Sequence, residues 1–164
     1  MPEKRTRQAA ARDKREGKSP STQAGEFVRE EIEHVREGKH GARSAKQVIA
    51  IGLSKARRAG VKLPPPKKSA SKATRKRAAR DEAAGEHPHK PAARRARATS
   101  KAFAREGHVA ASSEALSRQA RKSASKRSAA SRSAAAKKAA HTKGAAGRSA
   151  AAKKAAATRA RRGH

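Results

Sequence analysis

The chain has 164 residues, and 44 Lys plus Arg against 13 Asp plus Glu leave it a net charge of +31 with an isoelectric point near 11.9. Its 34% hydrophobic fraction is mostly alanine, 42 residues, beside Met1 and only 13 Val, Ile, Leu or Phe, with no Trp, Tyr or Cys. Such a composition excludes a large enzyme core, a disulfide scaffold and cysteine-based zinc sites, and it sits with strongly charged chains that cannot bury a domain-sized core.

Residues 1–19 read as a basic N-terminal arm, with seven cations against three acids. Ten of the thirteen large apolar residues then fall between Phe27 and Leu63, so whatever folds is expected there. Ala24, Phe27, Val28, Ile32 and Val35 recur at helical spacing over an arc of about 140°. Ser19 or Ser21 can cap this first helix, Pro20 is tolerated in its first turn, and Gly38 offers a stop. A short link at residues 38–43 leads to a second helix. Ser44 and Gln47 form an S-x-x-Q capping box, while Gly60 followed by Val61 reads as a Schellman end, and Pro64, Pro65 and Pro66 forbid continuation. Ala45, Val48, Ile49, Gly52, Leu53, Ala56 and Ala59 share the apolar arc of this helix, and its small residues would let a partner helix approach closely. The spacing thus predicts an antiparallel αα-hairpin over residues 20–64, packed through Phe27, Val28, Ile32, Val35, Val48, Ile49, Gly52, Leu53 and Ala56. A hairpin of this size is marginal alone. It is expected either to self-associate as a homo-oligomer or to be completed by a tail segment such as the one carrying Phe103.

Residues 65–164 are a low-complexity tail of Ala, Lys, Arg and Ser, and residues 61–164 hold 29 cations against five acids. Arg-Ser-Ala-Ala-Ala-Lys-Lys-Ala-Ala occurs at 132–140 and again at 148–156, a period of 16. Ala, Lys and Arg favour helix locally while like charges oppose it, so the tail is expected to be extended or nascent helix, with Gly85 and Gly107 ending two of its stretches. The resulting fold class is a mostly disordered chain carrying a small all-α module.

The tail offers cations without a base-reading code. Arg57, Arg58, Lys67, Lys68, Arg75, Lys76, Arg77, Arg94, Arg95, Arg97, Arg121, Lys122, Lys126, Arg127, Lys137, Lys138, Lys153, Lys154, Arg159, Arg161 and Arg162 are the candidate phosphate contacts. Phosphate neutralisation releases counterions and gives affinity that is steep in salt and indifferent to sequence. Single-strand binders stack bases on aromatic rings, and only Phe27 and Phe103 exist, so duplex DNA is favoured and RNA is the alternative. A helix-turn-helix is disfavoured by the six-residue link and by the lack of a third supporting helix. His87-Pro88-His89, and His34 with His40, lack a third ligand at sensible spacing, so no metal is expected. Glu30, Glu31 and Glu33 are spaced like a charged helix face rather than a carboxylate pair in a cleft. No nucleophile, acid–base pair or Gly-rich phosphate loop is visible, so neither an enzyme nor a small-molecule substrate nor a cofactor is expected. No stretch reaches the roughly 20 apolar residues of a membrane span and no leader core precedes residue 30, which points to the cytoplasm, near a nucleoid.

Residues 20–65, from Pro20-Ser-Thr-Gln-Ala-Gly-Glu-Phe-Val-Arg-Glu-Glu-Ile-Glu-His-Val through Gln47-Val-Ile-Ala-Ile-Gly-Leu-Ser-Lys-Ala-Arg-Arg-Ala-Gly-Val-Lys-Leu-Pro64, resemble a bacterial family of small basic proteins catalogued as a domain of unknown function. That resemblance implies no activity. The tail resembles bacterial linker-histone-like proteins, which implies a histone-like, nucleoid-associated role; an adaptor whose hairpin binds a protein partner while the tail holds nucleic acid is a further alternative.

Overall fold

The structure, a computed structural model, describes residues 2–87 and 92–162. Among these, seven α-helices follow in chain order: α1 Lys4–Arg15, α2 Pro20–Arg36, α3 Ala45–Arg58, α4 Lys72–Glu86, α5 Ala93–Ala104, α6 Ser113–Ser125 and α7 Ala129–Arg162, with a 3-10 turn at Val109–Ala111. The protein is all-α and 76% helical, which corrects the expectation of a mostly disordered chain. Helix propensity of Ala, Lys and Arg outweighs like-charge repulsion along the tail, and several tail segments find packing partners that the pattern of large apolar residues did not reveal. The chain divides into two compact units, residues 1–119 and 120–164.

The centre of the first unit is the α2–α3 hairpin. Ser19 is the N-cap of α2 with Pro20 at its first position, and Ser44 caps α3 by accepting the Gln47 N–H at 3.3 Å. The return arm of the expected capping box goes elsewhere: Gln47 Oε1 accepts from the Arg43 N–H, and its Nε2 donates to Glu106. At the far end of α3, Gly60 has φ +85°, the Val61 N–H reaches Ala56 O at 3.0 Å, and Val61 is buried beside Ala56. This is the Schellman end with its apolar contact. Gly52 sits against α2 so closely that a Cβ there would lie 2.7 Å from Val28 Cα.

Two apolar clusters hold the hairpin. Ala24, Phe27 and Ala56 pack with Ala10 of α1 and with Val61, flanked by Leu53 and Leu63. Toward the link, Val35, Ala42 and Val48 pack with Ala110 and Ala111 of the 3-10 turn, flanked by Ile32. Residues 4–15, read as part of a basic N-terminal arm, are therefore a helix docked on α2, and a third helix does support the pair. Its ends are pinned by polar bonds: the Glu3 N–H donates to Glu30 Oε2 at 3.1 Å, and Lys18 Nζ lies 2.8 Å from the buried carboxylate of Asp13.

The segment after Pro66 completes the unit. Helix α4 lies on α3, with Ala78 and Asp81 buried. Asp81 accepts from Ser54 Oγ at 2.7 Å and from Arg58 Nε at 2.8 Å. Gly85, expected to end a helix, lies within α4, where a Cβ would meet Arg57 O at 2.4 Å. Past α5, the Gly41 N–H donates to Phe103 O and the Ala42 N–H to Gly107 O, so residues 103–107 are stitched to the hairpin link. Phe103 stands 5.6 Å from the His40 ring, and Arg36 Nε donates to Ala111 O. Of the two expected outcomes for the apolar arcs, self-association or completion by a tail segment such as the one carrying Phe103, the structure shows the second, and a shallow groove of about 410 Å³ lined in part by Val28, Ile32, Leu53 and Leu116 stays open. Ile49 is half-buried and belongs to neither cluster.

The second unit has a different basis. None of its described residues is buried. Helix α7 is interrupted at Gly144 (φ 65°, ψ 172°), which lies between the two copies of the nine-residue repeat, so each copy is a separate helical stretch. Arg148 Nη1 donates to Ala140 O at 2.7 Å, placing a cation on a carbonyl near the end of the first stretch.

Candidate nucleic-acid interface

Helices α4 and α5 of the first unit carry exposed cations. On α4, Ala78, Asp81 and Gly85 recur at helical spacing toward α3, and Lys72, Arg75, Lys76 and Arg80 fill an arc of about 140° on the opposite side, with Arg77 beside it. All five are exposed. On α5, Arg94, Arg97 and Lys101 share one face, Arg95 flanks it, and all four are exposed. Lys67 and Lys68 are exposed just before α4.

Two of the candidate contacts are occupied by the fold itself. Arg58 is tied to Asp81, and Arg57 Nη2 donates to Pro64 O at 3.4 Å. Ser54 and Arg58 of α3 thus both face Asp81 of α4.

The carboxylates decide where cations remain uncompensated. All thirteen Asp and Glu lie in residues 1–119, while residues 120–164 hold fourteen Lys plus Arg and no acid. Within the first unit, Lys18 meets Asp13 and Glu16, Lys39 meets Glu37 and Glu3, and Lys62 meets Glu86 at 2.6 Å. Hydrogen bonds to these carboxylates raise the lysine pKa values, and the Lys62 bond lowers that of Glu86. In the second unit, Arg121, Lys122, Lys126, Arg127, Lys137, Lys138, Lys153, Lys154, Arg159 and Arg161 are exposed. Arg127 bonds Ser131, and Arg159 donates to Ala155 O, both neutral partners. Arg162 ends α7. Within each repeat, Arg132, Lys137 and Lys138, or Arg148, Lys153 and Lys154, point in different directions around the helix, so no single face is cationic.

Of the residues read as a charged helix face, Glu33 is partly exposed, while Glu30 and Glu31 are placed otherwise. Glu30 and Glu31 are 2% and 1% exposed, a correction whose cause is geometric: Glu31 lies one turn from both Phe27 and Val35, on the core stripe of α2. Lys55 Nζ lies 3.4 Å from Glu30 Oε1 and 2.5 Å from Glu31 Oε2, the latter an ion contact without a directed hydrogen bond. Burial raises the Glu30 pKa, but bonds from Thr6, the Glu3 N–H and Lys55 together outweigh it and leave the value lowered. His40 Nε2 is 2.6 Å from Glu31 Oε1, and His34 Nε2 is 2.8 Å from Glu3 Oε1. The His34 bond, then the Lys39 bond, holds the Glu3 carboxyl down at about 2. His34 and His40, expected to lack a third ligand, have Glu31 beside them: one donor atom from each lies within 4.8 Å of the others. Glu31–His34 is an E-x-x-H pair on one helix face, a signal available in the sequence but overlooked. The His87-Pro88-His89 pairing lies partly outside the described residues. No described helix is long and apolar enough to cross a membrane.

Residues 14–68 match a family of unknown function, DUF6496. No curated protein and no solved structure matches the chain.

Proposed function

We propose that the protein is a non-catalytic, sequence-nonspecific nucleic-acid-binding protein, histone-like and nucleoid-associated, with duplex DNA as its main ligand. One observation carries this reading: fourteen cations in residues 120–164 have no acidic side chain in their own unit, on helices without any buried residue. A segment with no core to maintain and no internal counter-charge has its surface available for a polyanion. The outward arcs of α4 and α5 add cations from the first unit, whose compact core supplies a rigid body for them.

Binding of this kind is read by its salt dependence. Unrelated duplexes should bind with similar affinity, and log Kobs should fall against log salt with a slope of about −5 or steeper when six or more phosphates are engaged. A flat salt response would overturn the reading. Crosslinking in cells that recovers ribosomal RNA in large excess over chromosomal DNA would reassign the ligand to RNA, and a stoichiometric protein partner surviving nuclease treatment would favour the adaptor role.

A further inference from the structure

We propose that Glu31, His34 and His40 form a site for one divalent transition-metal ion of the zinc class, which locks the α2–α3 link onto the segment 103–111. The site is built by three local features. The E-x-x-H spacing sets Glu31 and His34 one turn apart on α2. Gly38, at φ +74°, turns the chain back so that His40 returns over that same turn. The three donor atoms converge within 4.8 Å, with Glu31 1% exposed and the His34 and His40 side chains 12% and 20% exposed.

The geometry at His40 turns one ring nitrogen toward Glu31. His40 Nδ1 is 3.1 Å from Gly41 O, and a carbonyl can only accept, so that nitrogen carries hydrogen. Nε2 is therefore the ring atom turned to Glu31 Oε1, at 2.6 Å, the position that a metal ion bound by both would share. Glu30 and Glu31 are buried as neighbours: the Glu3 N–H and Lys55 reach Glu30, and Lys55 and His40 reach Glu31. A metal ion on Glu31 would add positive charge beside this buried pair of carboxylates.

Two imidazoles and one carboxylate suit Zn2+ and its neighbours rather than Mg2+ or Ca2+, which prefer all-oxygen sets. Tetrahedral ligation at about 2.0–2.1 Å separates donors by about 3.3 Å, so the His40–Glu31 contact need open by less than about 1 Å. Glu3 on His34 Nε2 and the Gly41 carbonyl on His40 Nδ1 orient the two rings as outer partners orient metal-bound histidines. Phe103 covers the His40 ring at 5.6 Å, and the adjacent Gly41 and Ala42 hold residues 103 and 107. An ion here therefore acts on the docking of that segment, independently of the nucleic-acid reading.

The test uses the full chain stripped of metal and nucleic acid. Titration with Zn2+ should show one tight equivalent and a raised melting temperature, and Co2+ should give the visible absorption of a tetrahedral site. Glu31→Gln, His34→Asn and His40→Asn should each weaken binding at least tenfold, whereas His141→Asn should leave it unchanged. Because a variant could lose its fold, the unmodified protein supplies a second criterion. Co2+ should broaden the ring proton resonances of His34 and His40 first. Absence of stoichiometric uptake at micromolar chain, broadening centred on other histidines, or full affinity in a folded His40→Asn protein would each overturn the proposal.

Discussion

Position 52 shows how much one hydrogen atom decides. A methyl group on Gly52 would lie 2.7 Å from Val28 Cα and 2.9 Å from its Cγ2, contacts that neither backbone can accept without shifting. Gly25 is also helical, yet a Cβ there meets nothing within 4 Å. Gly52→Ala should therefore destabilise the protein by about 1–3 kcal/mol through overpacking. Gly25→Ala should stabilise it by about 0.5–1 kcal/mol through helix propensity. Urea denaturation of the two variants measures both signs, and a Gly52→Ala protein as stable as its parent would mean that α2 and α3 do not approach this closely. Much at this scale was legible in the sequence. Gly52 in the apolar arc, Ser44 before α3 and Gly60–Val61 after it are signals in which residue type and role coincide. Glu31 was not legible for the opposite reason. It falls inside the same α2 arc as Phe27 and Val35, but a carboxylate is ordinarily solvated, and its burial rests on Lys55 and His40, which the chain brings up from elsewhere.

At the scale of elements, α2 and α3 could be read because large apolar side chains recur in them, whereas α1 and α4 could not. The helices α1 and α4 dock through Ala10, Thr6, Ala78 and Asp81, small or polar residues whose spacing hardly departs from that of a solvated basic helix. Phe103 was the one visible hint that the tail returns to the hairpin, and what completes the contact is backbone pairing that no side-chain pattern encodes. Gly41 tests that closure. Its Cβ would stand 1.7 Å from Glu106 O, a distance that only detachment or a large shift of residues 103–107 can relieve. Gly41→Ala should therefore release this segment while α1 stays on α2, since Ala10 packs in the other cluster. Hydrogen exchange should show faster exchange of the Gly107-bonded Ala42 amide and of the 3-10 turn, with little change in α1. Uniform loss of protection through the whole unit would instead mean that the two clusters fold as one.

For the molecule as a whole, the separation of charge matters more than its total. Residues 1–119 carry 30 Lys plus Arg with all 13 acids, a net +17, and many of those cations stand in ion pairs. Residues 120–164 carry fourteen cations unopposed. The excess of charge in the tail was plain in the sequence, but which cations in the first unit are compensated was not, because the pairings cross long stretches of chain. Lys62 with Glu86 is one such pairing, and Arg58 with Asp81 another. Counterion release distinguishes the two classes, since each phosphate contact contributes about 0.9 to the log-log salt slope. Replacing Lys137, Lys138, Lys153 and Lys154 with Gln in the full chain should reduce the slope for duplex DNA by up to about 3.6, if each lysine engages one phosphate. Replacing Lys18, Lys39 and Lys62 with Gln removes nearly as much formal charge, but these ammonium groups already face carboxylates at 2.6–3.0 Å. That second variant should change the slope by much less per residue. Equal losses per residue would show that net charge alone governs binding, and the unopposed helices of residues 120–162 would then have no special part in it.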